Sequence, residues 1–265
     1  MVGRMVATPL TRYVDGIYKK FGYRATWLPG TTLRLGDIGT LEQGVFVRIA
    51  NLKDLEIPFE TQTGEDPVHM RHVSSSSVKI AFNGIGSAPV EGVPASAGID
   101  VEFGSEGAYV FDALGCIDQS IRDQVKLEDA LREALFLEKW KLQWMVVTHT
   151  IEAQSATILI SNSGNSQLRL AANGNLAAAQ QSLAHLDAKL SVTSQTGDVT
   201  KLVGGRGLTL LYRLSALRRR FLSDQVDLTA RGDSPFDDSP FSQPVSQSAS
   251  QFALEEIAWH EAEQS

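Results

Sequence analysis

Leu142-Gln143-Trp144-Met145-Val146-Val147 and Gly207-Leu208-Thr209-Leu210-Leu211-Tyr212-Arg213-Leu214 bracket the stretch, residues 141–217, whose reading decides the fold. Both are short apolar runs of the kind that form buried strands. Between them, from Ala153 to Leu186, Arg169 is the only Asp, Glu, Lys or Arg. Ser, Asn, Gln, Thr, Gly and Ala surround short apolar alternations there. Thr157-Ile158-Leu159-Ile160 and Gln167-Leu168-Arg169-Leu170 flank Asn162-Ser163-Gly164-Asn165, which predicts a hairpin. Residues 187–192 alternate and predict a further strand. A surface segment ordinarily carries more charge, so something disfavours charge across this region.

Working outward, Val78, Ile80 and Phe82 share one face of an alternating run, and Ile99, Val101 and Phe103 share one face of another. They predict a long antiparallel hairpin over 78–111, each strand with one wet and one apolar face. Its connection, 84–98, is rich in Gly, Ala, Ser and Pro. Residues 118–140 are expected to be the strongest helix. Ile117, Ile121 and Val125 form one apolar set and Leu127, Leu131, Ala134 and Leu135 the next, with a bend or a break into two helices expected near Lys126. Glu128 and Arg132 are spaced for an ion pair. At the start of the chain, Thr8 as N-cap, Pro9, the helical spacing of Leu10, Val14, Ile17 and Phe21, and Gly22 predict a short amphipathic helix. Residues 23–59 read as short strands broken by glycines, with a strand over 45–49 and one helical turn over 51–55 that Pro58 ends. The expected fold class is α+β: a twisted antiparallel sheet with long hairpins, flanking helices and a flexible C-terminal tail.

The charge is unevenly spread. From Phe221 to Ser265 there are nine acids and one base, so the tail carries −8, while the remainder has 23 bases and 22 acids. This divides the chain into a body, 1–221, and an acidic tail, 222–265. A nearly neutral body has no broad basic surface to neutralise phosphates, so no nucleic-acid partner is expected. No apolar run approaches the roughly 18 residues of a spanning helix. The first residues lack the apolar core of a secretory signal, and the single Cys116 excludes an internal disulfide; both lead to a cytoplasmic expectation. The tail is rich in Ser, Asp, Gln and Pro and repeats Asp-Ser-Pro-Phe at 233–236 and 238–241. It ends with Phe252, Leu254, Ile257, Ala258 and Trp259, spaced for an amphipathic helix capped by Ser250.

Catalytic motifs are absent. There is no phosphate loop, no Gly-x-Gly-x-x-Gly and no Gly-x-Ser-x-Gly elbow. Cys116, placed just before the expected helix, reads as a small buried cysteine rather than a nucleophile. His69 and His72 are three apart in what reads as a loop, and no metal site is assigned to them. His149 reads as a wall histidine in an apolar strand, and Arg231-Gly232-Asp233 as a chance tripeptide. No catalytic residue, metal or cofactor is expected. Arg218-Arg219-Arg220 is the one local basic cluster. It reads as a solvated strand end, as a protease-sensitive junction, or as a contact for anionic lipid head groups.

The order of elements over 77–217 resembles the pore-forming domain of the gasdermins. The hairpin 78–111 followed by a charged helical stretch carries the resemblance. So do the strand Gln143-Trp144-Met145-Val146-Val147-Thr148-His149-Thr150-Ile151 and the closing turn and strand 199–214. The first seventy residues match nothing in that family. No cysteine lies near the N-terminus, where many bacterial members resemble one another in carrying one for acylation. The resemblance implies a cytoplasmic protein, held inactive by its tail. It would be released by an activating protease, bind anionic membrane lipid and form a homo-oligomeric β-barrel pore in cell death or antiviral defence. It also accounts for the neutral stretch: a strand that must face hydrocarbon avoids charge on its lipid side. The strands that would insert carry Val78, Ile80, Phe82, Ile99, Val101 and Phe103 in one hairpin and Ile158, Ile160, Leu168, Leu170, Leu190 and Val192 in the second, 155–193. Phe252, Leu254, Ile257 and Trp259 would dock the tail. Two other readings stand beside this one: a soluble α+β binding or adaptor module whose tail recruits a partner, and an enzyme with an unfamiliar site.

Overall fold

The structure is a computed structural model, and it describes residues 8–26, 32–42, 44–83, 98–172, 182–184, 190–205, 207–219 and 252–257. Helix α1 spans Pro9–Phe21 as its signals predict: the Thr8 hydroxyl accepts from the Thr11 amide at 3.3 Å, and Gly22 closes the helix in the left-handed region. It buries Tyr13, Val14 and Ile17.

Strands β1 (Arg24–Ala25), β2 (Asp37–Glu42), β3 (Val45–Asn51), β4 (Thr61–Thr63) and β5 (Val68–Val73) follow, with one 3-10 turn over Leu52–Leu55. Then come β6 (Val78–Asn83), β7 (Gly98–Phe103) and β8 (Tyr109–Ile121), helix α2 (Gln124–Phe136), β9 (Met145–Ala153) and β10 (Ser155–Ser161). The chain continues through β11 (Ser166–Ala172), β12 (Leu190–Thr196), β13 (Val199–Gly204), β14 (Leu208–Arg219) and β15 (Phe252–Glu256). The architecture is α+β, built on antiparallel sheets.

The larger sheet runs β1-β14-β9-β8-β10-β13, with β2, β3, β4, β5 and β15 paired onto it. Its backbone is the long strand β8. Residues 109–114 pair with β10 and residues 117–120 with β9. Gly115 sits where the partner changes, at φ +62°, with the Gln154 side chain 2.6 Å from where a Cβ would stand; any other residue would strain the backbone and displace Gln154. The second sheet has four strands in the order β12-β11-β7-β6.

The two faces of the larger sheet are covered differently. Tyr109, Phe111 and Ala113 of β8 and Ile158 and Ile160 of β10 face α1. Val110 of β8, Leu159 of β10 and Val199 of β13 face the four-stranded sheet. Helix α2 lays Leu127, Leu131 and Ala134 against Ile38, Ile121, Val146 and Leu217.

Three expectations need correction. The helix expected over 118–140 begins only after Asp123, which caps it, because 117–121 is claimed by pairing with β9 on one edge and β4 on the other. The apparent bend at Lys126 was this strand-to-helix boundary. His69 and His72 lie in strand β5, held by the ladder to β8, not in a loop. β10 and β11 do not pair with each other. The turn over 162–165 carries the chain from one sheet to the other, and the true second hairpin is β11–β12. Buried hydroxyls tie that crossing: Ser161 donates to Ser166 at 2.9 Å, and Ser166 donates to the Ser163 carbonyl at 2.8 Å.

Candidate functional site

Two hairpins lie side by side in the four-stranded sheet. β6–β7 pairs Val78 with Phe103, Ile80 with Val101 and Phe82 with Ile99. β7 then pairs with β11, placing Val101 opposite Leu168 and Ile99 opposite Leu170. Ile99, Val101, Phe103, Leu168 and Leu170 are buried against the larger sheet, with Val78, Ile80 and Phe82 packed around them. Alternation along β6, β7 and β11 leaves the other face polar, and Asp100 there accepts from Arg169 at 2.6 and 3.0 Å and from Asn83 at 2.6 Å. The Arg169 hydrogen bond holds the Asp100 carboxyl below its ordinary range. The β6–β7 hairpin and β11 are therefore amphipathic across their thickness, whereas β12 slips in register beside Arg169 and sets Gln195 opposite Leu168.

Of the residues singled out for membrane insertion, eight share this one apolar surface. Ile158 and Ile160 do not: β10 belongs to the larger sheet, and both side chains face α1. Leu190 lies in β12, and Val192 pairs with Leu170 but is exposed.

The second feature is the end of the chain. The spacing of Phe252, Leu254 and Ile257 suggested a helix, but 252–256 is a strand that adds to β14. The register runs from Ser215 opposite Glu256 to Arg219 opposite Phe252. β9 occupies the other edge of β14, so β15 lies on the edge that β1 shares, continuing the line of β1. An open strand edge is a stronger partner than an isolated turn of helix.

Side chains of the body grip the backbone of β15. Arg132 of α2 donates through Nε to the Phe252 carbonyl at 2.9 Å and through Nη2 to the same oxygen and to Glu128. Glu128 accepts from the Leu254 amide at 3.0 Å. The buried Arg24 donates to the Ile257 carbonyl at 3.2 Å, and Arg213 pairs with Glu256 at 3.5 Å. Ala253 and Ile257 are buried, the latter among Leu33, Phe46, Tyr212 and Leu214. Phe252 and Leu254 pack beside Leu127, Leu131 and Leu217. Trp259 and Ser250 fall outside the described residues, as does most of the tail.

Sequence reasoning saw Glu128 and Arg132 as a helix-surface pair. Nothing in their spacing shows that the pair binds the tail, nor that Arg24 reaches it. Arg218 and Arg219 end β14 opposite Ala253 and Phe252 and are exposed. Arg220 lies outside the described residues.

The other chemistry-bearing residues are dispersed. Cys116 is buried in β8, and burial pushes its thiol up to about 11, away from thiolate chemistry. His69 donates through Nε2 to the Asp112 carboxylate at 2.7 Å, while His72 stacks edge-on with Tyr109 and is held below its ordinary pKa by burial. Burial also lowers the pKa of His149, which sits beside Thr148 at 3.2 Å. Among the described residues no group of three or more His, Cys, Asp or Glu could hold a metal ion. No helix among them is long and apolar enough to cross a membrane.

No protein-family model matches the chain, and no curated protein is significantly similar to it. Among solved structures it is similar to one described as a cryo-EM structure of the gasdermin A3 membrane pore. The identity is 12%, the match covers 79% of this chain and 90% of that chain, and the TM-score is 0.35. A superposition that loose leaves fold and function to rest on the chain's own geometry.

Proposed function

We propose that this chain is a gasdermin-like pore-forming protein, held inactive by its tail strand and released by proteolysis to assemble into a homo-oligomeric β-barrel in a membrane. It acts by assembly rather than catalysis, as a cell-death or antiviral-defence effector that is cytoplasmic until activated. The observation that carries the reading is the four-stranded sheet of two neighbouring hairpins, whose strands β6, β7 and β11 are apolar on one face and polar on the other. That is the pattern of a barrel strand, apolar toward lipid and polar toward the lumen. The strands have six or seven residues. About 9–11 are needed to span, so each hairpin must lengthen into its connection. Of Asp, Glu, Lys and Arg, those connections, 84–97 and 173–189, carry only Glu91 in the first and Asp187 and Lys189 in the second. A single subunit would leave strand edges unpaired in hydrocarbon, so spanning requires neighbouring copies.

The tail supports a switch. β15 covers part of one edge of β14, and the −8 charge of 221–265 opposes an anionic membrane. Arg218 and Arg219 stand in the ladder with β15, where a protease cannot take them as extended chain, so a cut belongs beyond them. Once the opposing −8 charge is gone, these bases contribute about 1 kcal/mol each toward anionic lipid.

A chain ending at Arg220 is expected to release dye from anionic liposomes while the full-length chain does not. Equal release from both removes the tail as a switch. Release from neither, together with capture of a soluble partner by the isolated tail, favours the adaptor reading.

A further inference from the structure

We infer that Asp112 is a latch on the second hairpin, holding the connection between β11 and β12 to the body independently of the tail. Asp112 lies near the start of β8, fully buried, opposite Thr157 of β10. It stands on the face that meets the four-stranded sheet, in line with Val110 and Leu159. Residues 182–184, in the β11–β12 connection, fold over it. The Ser182 hydroxyl donates to Oδ1 at 2.7 Å, and the Leu183 amide donates to Oδ2 at 2.9 Å. Thr157 donates to the Leu183 carbonyl at 3.1 Å, and the Leu183 side chain is buried with Leu159, Leu168 and Val199. His69 at 2.7 Å and Arg71 at 3.8 Å, both from β5, complete the surroundings of the carboxylate.

The consequence follows from the cost of a buried charge. A buried carboxylate is tolerated only while its oxygens are hydrogen-bonded. Two of its donors, Ser182 and the Leu183 amide, belong to the hairpin connection. If that connection departs, Asp112 keeps only the His69 and Arg71 side and must be rehydrated. Departure of the second hairpin is therefore coupled to the exposure of Asp112. The Ser-His-Asp composition is not a catalytic triad: the Ser182 hydroxyl and the His69 ring both engage Oδ1, so the histidine does not stand as base to the serine.

The latch gives the pore reading a second lock and rests on that reading for its purpose, but it is tested without a membrane. Hydrogen exchange of full-length Ser182→Ala, compared with the parent chain, is expected to show amides of 166–172 and 190–196 exchanging about tenfold faster, the size of one lost hydrogen bond to a buried charge. Amides of 145–153 and 199–204 are expected to be unchanged. Thr209→Val, which removes a buried bond from Thr209 to the Leu33 carbonyl at 2.9 Å far from the latch, is the control for general loosening. Unchanged exchange in 166–172 and 190–196, or the same pattern of acceleration in both variants, overturns the latch. A selective effect combined with no dye release from any tail-less chain keeps the latch and removes the pore reading instead.

Discussion

Arg169 stands opposite Asp100 where the two hairpins meet, and its position shows why a stretch otherwise without charge keeps one. β7 and β11 are neighbours in the sheet but distant in sequence, and this pair fixes their register on the polar face. The Arg169 side chain is exposed and that of Asp100 only partly buried, so solvent screens the pair and its contribution is small. Asp100→Asn is expected to lower Tm by about 1–2 °C at neutral pH. The pH dependence has a definite sign. The Asp100 carboxyl is held below its ordinary range by Arg169, so the contribution is present above that range and disappears as pH falls through the lowered value. Thermal unfolding of the variant and the parent should therefore converge in strong acid. A difference that persists or grows there rules out the ion pair as its source.

At the scale of elements, the tail strand depends on α2 as well as on the β14 ladder. Arg132 binds the Phe252 carbonyl while Glu128 binds both Arg132 and the Leu254 amide, so one side chain holds the other in position. Arg132→Ala removes a charged donor from a half-buried carbonyl. It is expected to make opening of β15 at least about tenfold more frequent, seen as faster exchange at 252–257 with α1 unaffected. These contacts also mark the limit of what the sequence discloses. Strands with one apolar face were legible because alternation has only two outcomes: Ile99, Val101 and Phe103 had to lie together, and they do. α1 was legible because Thr8, Pro9 and Gly22 mark its ends by local chemistry. Residues 117–121 and 252–257 misled because both are compatible with a helical and an extended spacing. There the choice is made by a strand edge supplied from elsewhere in the chain. The same reason hid β5, whose two histidines gave no local sign of the ladder with β8. The crossing at 162–165 was misread because a good turn sequence fixes the turn and not the partner of the strand that leaves it. The grip of Glu128, Arg132 and Arg24 on β15 was invisible for a related reason. Those side chains bind backbone atoms, which leave no trace in the sequence of the strand they hold.

For the whole molecule, the tail raises a question of mass action. Arg219 and Phe252 are directly opposite in the ladder, so 220–251 is a tether whose two ends meet at one place. Covalent linkage raises the effective concentration of β15 at the edge of β14, and a modest intrinsic affinity then suffices to hold that edge covered. Cutting anywhere between 220 and 251 leaves every contact of β15 intact at first and removes only that effective concentration. The strand then dissociates on dilution, at a rate set by the five-residue ladder and the Arg132 and Arg24 contacts. Two outcomes follow for the nicked chain on anionic liposomes. Dye release should begin after a lag that a chain ending at Arg220 does not show. A synthetic peptide spanning 250–259, added in excess, should lengthen that lag and should also slow the chain ending at Arg220, while a scrambled peptide of the same composition should do neither. If the nicked chain leaks without delay and ignores the peptide, the tail inhibits through the charge and bulk of 221–251 rather than by occupying a strand edge, and Arg132→Ala should then leave leakage by the uncut chain unchanged.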